Sequence, residues 1–368
     1  MSENHHGEPI SGGQNPRAWD ELVIRFEQGI DLGRIQQLLL QARERGGLSQ
    51  ESVCTLNLVG IYYSTSSYER AQAALEAAGT LHPCRLLVLI AEEKMPGDSV
   101  TARVSVVRQG GAISLERIVL TATGQSVRHL ESAMLGLLLP ELPLVVVWGG
   151  RAEGVLLDRA VESADRVIID STTRPASALN DVADFLAGGA PLGDLAWARI
   201  FPWQALAAEV LDLPNLREHR GNIVRAKVTC LGAIGAEGVL LAGWLAARIR
   251  RAKVELVVLQ ERDEASPEGQ IARFEFEAPP ATFSLRREKG ILVAEVRGDD
   301  DGELVHRVRV PLETPGRLLG LELKLLAGVD DLYAASVQAG VKILAARPVP
   351  APSQPMTPVA MPPAKGKM

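Results

Sequence analysis

The sequence is poor in aromatic residues and carries no surplus of positive charge. Aromatic residues make up 4% of the 368 residues, and the formal net charge is −6 at pH 7. Proteins that bind nucleic acid usually present a basic surface to the phosphates, and those that bind single strands also stack the bases on aromatic rings. Because this composition supports neither feature, we expect no nucleic-acid partner.

Cysteine is scarce, and long hydrophobic runs are absent. Cys54, Cys84 and Cys230 are far apart and form no CxxC pair, which is typical of reduced thiols in a cytosol. A redox role for any of them stays open at this point. The most apolar run, residues 134–148, is interrupted by two prolines and a glutamate and is too short to cross a bilayer. Since the polar amino terminus also lacks the apolar core of a signal peptide, we predict a cytoplasmic protein without a membrane partner.

Common catalytic and phosphate-binding signatures are missing as well. The sequence contains no GxSxG, GxxxxGK(S/T) or HExxH motif, and two of its six histidines lie in the polar amino terminus. Glycines at 232, 235 and 238 follow a predicted strand, but their spacing is not GxGxxG. We interpret them as a tight strand-to-helix turn. No catalytic residue, metal or cofactor is therefore predicted.

What is present is a pair of short apolar runs around which the chain is organised. Residues 144–148 and 167–169 are rich in β-branched side chains and do not alternate with polar residues, which favours parallel strands buried on both faces. The first run ends at Trp148 and Gly149, and the second at Asp170 and Ser171. In open α/β sheets ligands and partners bind beyond the carboxyl ends of the strands, so function is first sought there.

The remaining pattern predicts a mixed α/β chain in two parts. Residues 18–190 are predicted to form a mostly parallel α/β domain that includes a β-hairpin at 100–121. Residues 191–346 are predicted to form an α+β domain with an antiparallel meander, in which Pro202 starts a new helix at Trp203. The ends, 1–17 and 347–368, are polar or proline-rich and are predicted to be disordered.

Three groups of residues are candidates for chemistry or recognition. His82 to Arg85 is interpreted as a turn into a buried strand, where Arg85 can bind a carboxylate through two donors. Aspartates cluster near the end of the second apolar run and on the next helix, where a structural role is favoured over acid–base or metal chemistry: Asp165, Asp170, Asp181 and Asp184. An aromatic and arginine group is equally typical of a protein–protein contact and of packing between domains: Trp197, Arg199, Phe201 and Trp203.

In their order along the chain, several short segments resemble the OpcA family, the glucose-6-phosphate dehydrogenase assembly or subunit proteins of cyanobacteria and actinobacteria. These segments spread over residues 53–203: Leu-Asn-Leu-Val at 56–59, His-Pro-Cys-Arg at 82–85, Leu-Leu-Leu-Pro-Glu-Leu-Pro at 137–143 with the strand ending in Trp148, Ala-Asp-Arg-Val-Ile-Ile-Asp-Ser at 164–171, and Asp-Leu-Ala-Trp-Ala-Arg at 194–199 with Pro202 and Trp203. Two positions differ from the family, which often has a second aromatic residue after the tryptophan at 148 and an arginine after the tryptophan at 203. Here these positions are Gly149 and Gln204.

The resemblance implies a non-catalytic partner that promotes assembly or allosteric activation of glucose-6-phosphate dehydrogenase in the oxidative pentose phosphate pathway. It implies no cofactor of its own. We expect the partner-binding residues among the strand ends and the aromatic group, and His82 and Arg85 to be structural. The candidate contact residues are Trp148, Asp170, Ser171, Asp194, Trp197, Arg199 and Trp203.

A second hypothesis stays open at this point. The α/β architecture would also suit an enzyme or a small-ligand sensor, for example for a sugar phosphate. It would use a strand-end crevice near Arg85, Asp170 and Ser171.

Overall fold

The computed structural model describes residues 21–27, 29–45, 54–109, 113–149, 159, 162–212, 221–249, 251–261, 266–297, 304–308, 313–324 and 330–347. The two ends that are predicted to be disordered lie outside this part, apart from Arg347. Within it, no helix is both long and apolar enough to cross a membrane.

An eight-stranded sheet occupies the first half of the chain. Its strands are β1 (Leu22–Phe26), β2 (Leu56–Tyr62), β3 (Cys84–Glu92), β4 (Val100–Gln109), β5 (Ile113–Thr123), β6 (Leu144–Trp148), β7 (Arg166–Ile169) and β8 (Leu192–Asp194). The helices of this half are α1 (Leu32–Arg45), α2 (Thr65–Leu81), α3 (Leu130–Leu137), α4 (Leu179–Ala187) and α5 (Leu195–Asp212). The order across the sheet is β1-β4-β5-β3-β2-β6-β7-β8.

Six adjacent strands form the parallel sheet that the apolar runs predict. From β5 to β8 every neighbouring pair is parallel, while β4 pairs antiparallel with β5 as the predicted hairpin, and β1 with β4. Numbered along the chain, these six strands have the doubly wound order 3-2-1-4-5-6, in which ligands bind at the switch point between the first and fourth strands. Here the switch point lies between β2 and β6.

The strands of this sheet are apolar on both sides because helices cover both faces. All seven residues of β2 are buried. Leu58 belongs to one apolar core with Leu75 of α2, and Val59 belongs to the other core with Ile35 of α1. Burial of each such side chain contributes about 2 kcal/mol, which explains why the runs show no polar alternation.

A six-stranded sheet occupies the second half. Its strands are β9 (Arg225–Leu231), β10 (Lys253–Leu259), β11 (Ile271–Ala278), β12 (Ala281–Glu288), β13 (Ile291–Arg297) and β14 (Leu304–Val308), in the order β10-β9-β11-β12-β13-β14. The helices are α6 (Ala236–Arg248), α7 (Pro315–Glu322) and α8 (Asp331–Ala345). Strands β9 and β10 are parallel around α6, and β11 to β14 form the predicted antiparallel meander.

The two faces of the second sheet differ in polarity, as strand alternation requires. On the inner face the rings of Phe276 and Phe283 stack with their centres 4.5 Å apart. On the outer face charged side chains pair across strands, as Lys227 does with Glu275 at 2.9 Å. The inner face therefore packs into the core, and the outer face is suited to water.

The last two helices, α7 and α8, contact helices of the first half of the chain. Helix α8 packs against both α6 and α4. It crosses α6 closely at Gly243, where a Cβ would overlap the carbonyl oxygen of Ser336. Helix α7 packs on α2. At the end of α7, Glu322 forms a buried ion pair of 2.6 Å with Arg166 of β7.

Two details differ from the sequence-based expectation. The prediction that Pro202 starts a new helix is wrong, because α5 continues through it from Leu195 to Asp212. Proline removes one backbone donor, but Ile200 and Trp203 on either side are buried and hold the helix in place. The predicted domain division at residue 190 stays a prediction, and β8, which follows it, is paired within the first sheet.

Candidate functional site

The polar ends of β7 and β8 meet at one edge of the first sheet. The two strands are parallel, and Ile169 is paired with Asp194 across them. Asp170 and Ser171 follow β7, where Asp170 caps a short turn by accepting from the Thr172 backbone N–H at 3.2 Å. The sheet therefore brings together three of the residues proposed as contacts.

Asp170 is held by Arg199 in a two-pronged ion pair. Nη1 and Nη2 of Arg199, on α5, donate to Oδ1 and Oδ2 of Asp170 at 2.7 and 2.8 Å. Burial alone would raise the pKa of Asp170, but the hydrogen bonds and charge of Arg199 outweigh it and lower that pKa. The two side chains are 23% and 21% exposed, so this pair is accessible from solvent.

Asp194 lies deeper, and its carboxylate accepts hydrogen bonds from Ser171, Ala196 and Tyr333. Its Oδ1 accepts from the backbone N–H groups of Ser171 at 3.0 Å and Ala196 at 2.9 Å. Its Oδ2 accepts from the hydroxyls of Ser171 and Tyr333, the latter at 3.1 Å. Burial raises the pKa of Asp194 to about 6 against these hydrogen bonds. The carboxylate thus joins β8, the turn after β7 and helix α8.

Most of the aromatic candidates are also engaged inside the protein. Trp203 is 1% exposed and Trp148 is 4% exposed. Trp197 is partly exposed, but its Nε1 donates to Asp330 at 3.1 Å and its ring lies 5.6 Å from that of Tyr333. Within the aromatic group, Phe201 is the side chain that projects outward, with 66% of its surface exposed.

Arg85 lies at the opposite edge of the sheet from Asp170. It is the second residue of β3, and its Nε and Nη2 donate to Glu116 of β5 at 3.0 and 2.8 Å. Since parallel strands run the same way, the amino end of β3 and the carboxyl end of β7 point to opposite edges. The hypothesis of one crevice near Arg85, Asp170 and Ser171 is therefore wrong.

Several of the remaining candidate residues are buried or form contacts within the protein. His82 ends α2, and its Nε2 lies 2.9 Å from the carbonyl oxygen of Gly320. Burial raises the pKa of Cys84, and it raises that of Cys230 to about 11, so both thiols are protonated at neutral pH. Asp165 accepts from the backbone N–H of Leu144 at 2.8 Å, at the start of β6. Within the described residues no three His, Cys, Asp or Glu side chains are grouped to bind a metal.

At the switch point, a carboxylate of the chain itself occupies the amino end of α2. The turn into α2 reads Ser64-Thr65-Ser66-Ser67 and contains no glycine. Glu92, at the end of β3, accepts from the backbone N–H of Thr65 at 2.9 Å and from its hydroxyl at 2.8 Å. In dinucleotide-binding sheets the pyrophosphate lies at this position. Glu92 was not identified from the sequence, because nothing local predicts its contact with Thr65.

Aromatic rings lie at the ends of β2 and β6, on the two sides of the switch point. Tyr62, at the end of β2, is 2% exposed and lies so close to Gly149 that a Cβ there would overlap its ring. The rings of Tyr63 and Trp148 meet edge to face with centres 5.7 Å apart. These side chains and Glu92 do not fit a bound dinucleotide.

Comparison with known families decides the affiliation of the chain. Residues 75–184 match the family model described as the glucose-6-phosphate dehydrogenase subunit N-terminal domain, and residues 190–337 match the one described as its C-terminal domain. Together they cover more than half of the chain. It belongs to the OpcA family. At Gly149 the Tyr62 ring takes up the space that a larger side chain would need.

Two curated OpcA proteins, both named for the OxPP cycle, are similar to this OpcA family member. The Synechocystis sp. protein is 29% identical over 179 residues, which are 46% of this chain and 38% of that protein. The Nostoc punctiforme protein is 28% identical over 233 residues, which are 61% of this chain and 49% of that protein. The match therefore spans less than half the length of either relative.

Solved structures also align with this OpcA family member. UDP-N-acetylglucosamine 3-dehydrogenase GnnA from Acidithiobacillus ferrooxidans aligns with a TM-score of 0.40 and 9% identity, over 78% of this chain and 97% of that chain. The transcriptional regulator Gal80p from Kluyveromyces lactis aligns with a TM-score of 0.41 and 8% identity, over 81% of this chain and 90% of that chain.

Proposed function

We propose that this chain is a non-catalytic subunit that binds glucose-6-phosphate dehydrogenase in the cytoplasm and promotes its assembly or activates it allosterically. The observation that carries the proposal is the match of both halves of the chain to domains described as dehydrogenase subunit domains. Such a subunit must bind the assembled or active dehydrogenase more tightly than the inactive form, since equal affinity would shift no equilibrium.

The chemistry of the strand ends supports a non-catalytic role. A general acid or base must reach a substrate proton. Asp194 is fully buried, and its two carboxylate oxygens accept from four donors of the protein. Asp170 is neutralised by Arg199. The switch-point crevice is filled by Tyr62 and Glu92 instead of a phosphate-binding turn.

The solvent-facing side of α5 is the contact surface that we propose. Phe201 is 66% exposed, and Ala205 and Ala208 on the following turns are exposed as well. Residues three to four positions apart share one helix face, so these side chains form an apolar stripe. Exposed aromatic side chains are enriched at the centres of protein interfaces. The buried candidates, Trp203 above all, would support this helix from below.

The function is tested with the dehydrogenase of the same organism. Its maximal velocity, its KM for glucose 6-phosphate and its subunit mass are measured with and without this chain. We expect the mass distribution to shift to a larger complex, together with a higher velocity or a lower KM. Absence of any change at saturating concentration of this chain would contradict the proposal.

The contact surface is tested by Phe201→Ser. Loss of an interface aromatic side chain typically costs more than about 1 kcal/mol, so we expect the dissociation constant of the complex to rise at least about fivefold. Leu135→Ser is the matched control, because Leu135 on α3 is also apolar and 55% exposed. Equal affinity of the two variants, measured by biolayer interferometry on folded protein, would remove the α5 surface from consideration.

A further inference from the structure

Among the described residues, three polar side chains make no hydrogen bond or ion pair: Gln204 on α5, Glu237 in the first turn of α6 and Arg287 on β12. Across the described residues, Arg287 forms no hydrogen bond or ion pair, and its Nε is buried. The Nε2 of Gln204 is likewise buried without an acceptor. Glu237 also makes no hydrogen bond or ion pair within this part of the chain. Unsatisfied buried groups are unfavourable, so their grouping points to something that they bind.

Two of these side chains, Arg287 and Glu237, lie near each other beside helix α5. The Cζ of Arg287 lies 5.8 Å from the centre of the Trp203 ring, and Gln204 is the next residue of α5. Helices α5 and α6 pack together, and the carboxylate of Glu237 lies within electrostatic range of Arg287 and Arg199. Arg287 and Glu237 nevertheless form no ion pair, so the two opposite charges are not in direct contact. The space between them is called the gap.

This gap is bordered by partly exposed side chains, and within the described part of the chain no carboxylate forms an ion pair with its cation, Arg287. Gln204, Glu237 and Arg287 are each only partly buried. Arg199 is already bound to Asp170, and burial lowers the pKa of Arg287, as expected for a guanidinium without a bonded counter-ion. A ligand that enters the gap would meet a cation at one end and a hydrogen-bond acceptor at the other.

We propose that this gap binds a small molecule with an anionic group at one end and a hydroxyl or ammonium donor at the other. Arg287 would hold the anionic group through two N–H donors, and the amide of Gln204 would donate to a neighbouring acceptor. Glu237 would accept from the donor end. Sugar phosphates and α-amino acids share this chemistry. The proposal stands independently of the subunit function.

The test is calorimetric titration of the full chain with glucose 6-phosphate, L-glutamate, inorganic phosphate and glucose. We expect glucose 6-phosphate or L-glutamate to bind with a dissociation constant below about 1 mM, the range at which a few hydrogen bonds hold a small ligand. Inorganic phosphate has only the anionic group and glucose has only the hydroxyl donors, so each is expected to bind at least about tenfold more weakly. If neither two-ended ligand binds, or if phosphate binds as tightly, the proposal is overturned.

Variants assign the binding to these residues. Arg287→Met keeps an unbranched side chain over Trp203 and is expected to weaken binding at least about tenfold. Arg297→Met is the control, because Arg297 is a mostly exposed arginine of β13 on the outer face of the same sheet. If Arg287→Met unfolds at a lower temperature than the wild type, Arg287→Lys is used in its place. It should weaken binding at least about threefold, because an ammonium lacks the planar pair of donors of a guanidinium. Wild-type affinity in the folded variant overturns the proposal.

Glu237→Gln distinguishes the two ligand sources. An ammonium group loses its counter-charge, so affinity for an amino acid should fall at least about tenfold. A hydroxyl still finds an acceptor oxygen in glutamine, so affinity for a sugar phosphate should change less than about threefold. Tighter binding of either ligand to Glu237→Gln would show that Glu237 repels it and would contradict the site.

Discussion

Asp194→Ala is expected to lower the free energy of unfolding by at least about 3 kcal/mol, because each buried donor left without an acceptor costs about 1–3 kcal/mol. The backbone N–H groups of Ser171 and Ala196 and the hydroxyl of Tyr333 all lose their acceptor. The measurement is urea denaturation with an unchanged slope, so that the midpoint reports stability alone.

Asp194→Asn is the matched control for this prediction. The amide oxygen can accept from the two backbone N–H groups, and the amide nitrogen can donate to the hydroxyl oxygens of Ser171 and Tyr333, which rotate freely. We expect a cost below about 1 kcal/mol, because every buried partner keeps a hydrogen bond. Equal destabilisation by Ala and Asn would mean that the network contributes less than its geometry indicates.

The same pair of variants has a defined pH dependence. The pKa of Asp194 is about 6 in the folded protein, above its ordinary value of 3.8. The stability that protonation contributes is therefore fully present below pH 4 and is lost as pH rises through 6. By linkage this change amounts to about 3 kcal/mol. The stability of Asp194→Asn relative to wild type should thus increase between pH 4 and 7, and a difference that is constant with pH would contradict the assignment.

Glu116→Gln is expected to be about as damaging, with a loss of at least about 3 kcal/mol, which is typical when one member of a buried ion pair is removed. Glu116 is 1% exposed and accepts from two arginines, Arg85 of β3 and Arg43 of α1. Its neutralisation leaves two desolvated guanidinium groups facing one uncharged amide. Thermal and urea denaturation would measure the loss.

Two further variants sharpen the Glu116 prediction. Glu93→Gln is the matched control, since Glu93 is exposed and a surface change of this kind stays within about 0.5 kcal/mol. Arg85→Met should cost less than Glu116→Gln, because Arg43 remains to neutralise the carboxylate. The reverse order of the two effects would show that Arg85 contributes mainly through its hydrogen bond to the Leu137 carbonyl oxygen.

Local sequence pattern predicts the parts of the fold that depend on local burial. The β-branched runs that became β6 and β7 are parallel strands as expected, and the alternating strands β11 to β14 form the predicted meander. By contrast, β1 has only five residues and lies at an edge, so its alternation is too short to be distinctive. The predicted division of α5 at Pro202 is wrong: proline is favoured at the first turn of a helix, but here the burial of Trp203 keeps the helix continuous.

The candidate site could be predicted only in outline. The sequence marks Asp170, Asp194 and Arg199 as candidate contact residues, but it does not show that Asp170 and Arg199 bind each other. Tyr333 lies 139 positions from its partner Asp194, and no periodicity or motif links residues at that distance. The direction of parallel strands, which places Arg85 and Asp170 at opposite edges, also depends on topology and not on residue type.

Two residues near the carboxyl end of the chain, Glu322 and Tyr333, contact residues of strands that are synthesised much earlier. Glu322 pairs with Arg166 across 156 positions, and Tyr333 bonds Asp194 across 139. While the chain emerges from the ribosome, the contacts of β7 and β8 stay incomplete until Glu322 and Tyr333 have been synthesised. A nascent chain that stalls between β8 and α8 would hold this edge open, and such intermediates are the species that chaperones bind and that aggregate when unprotected.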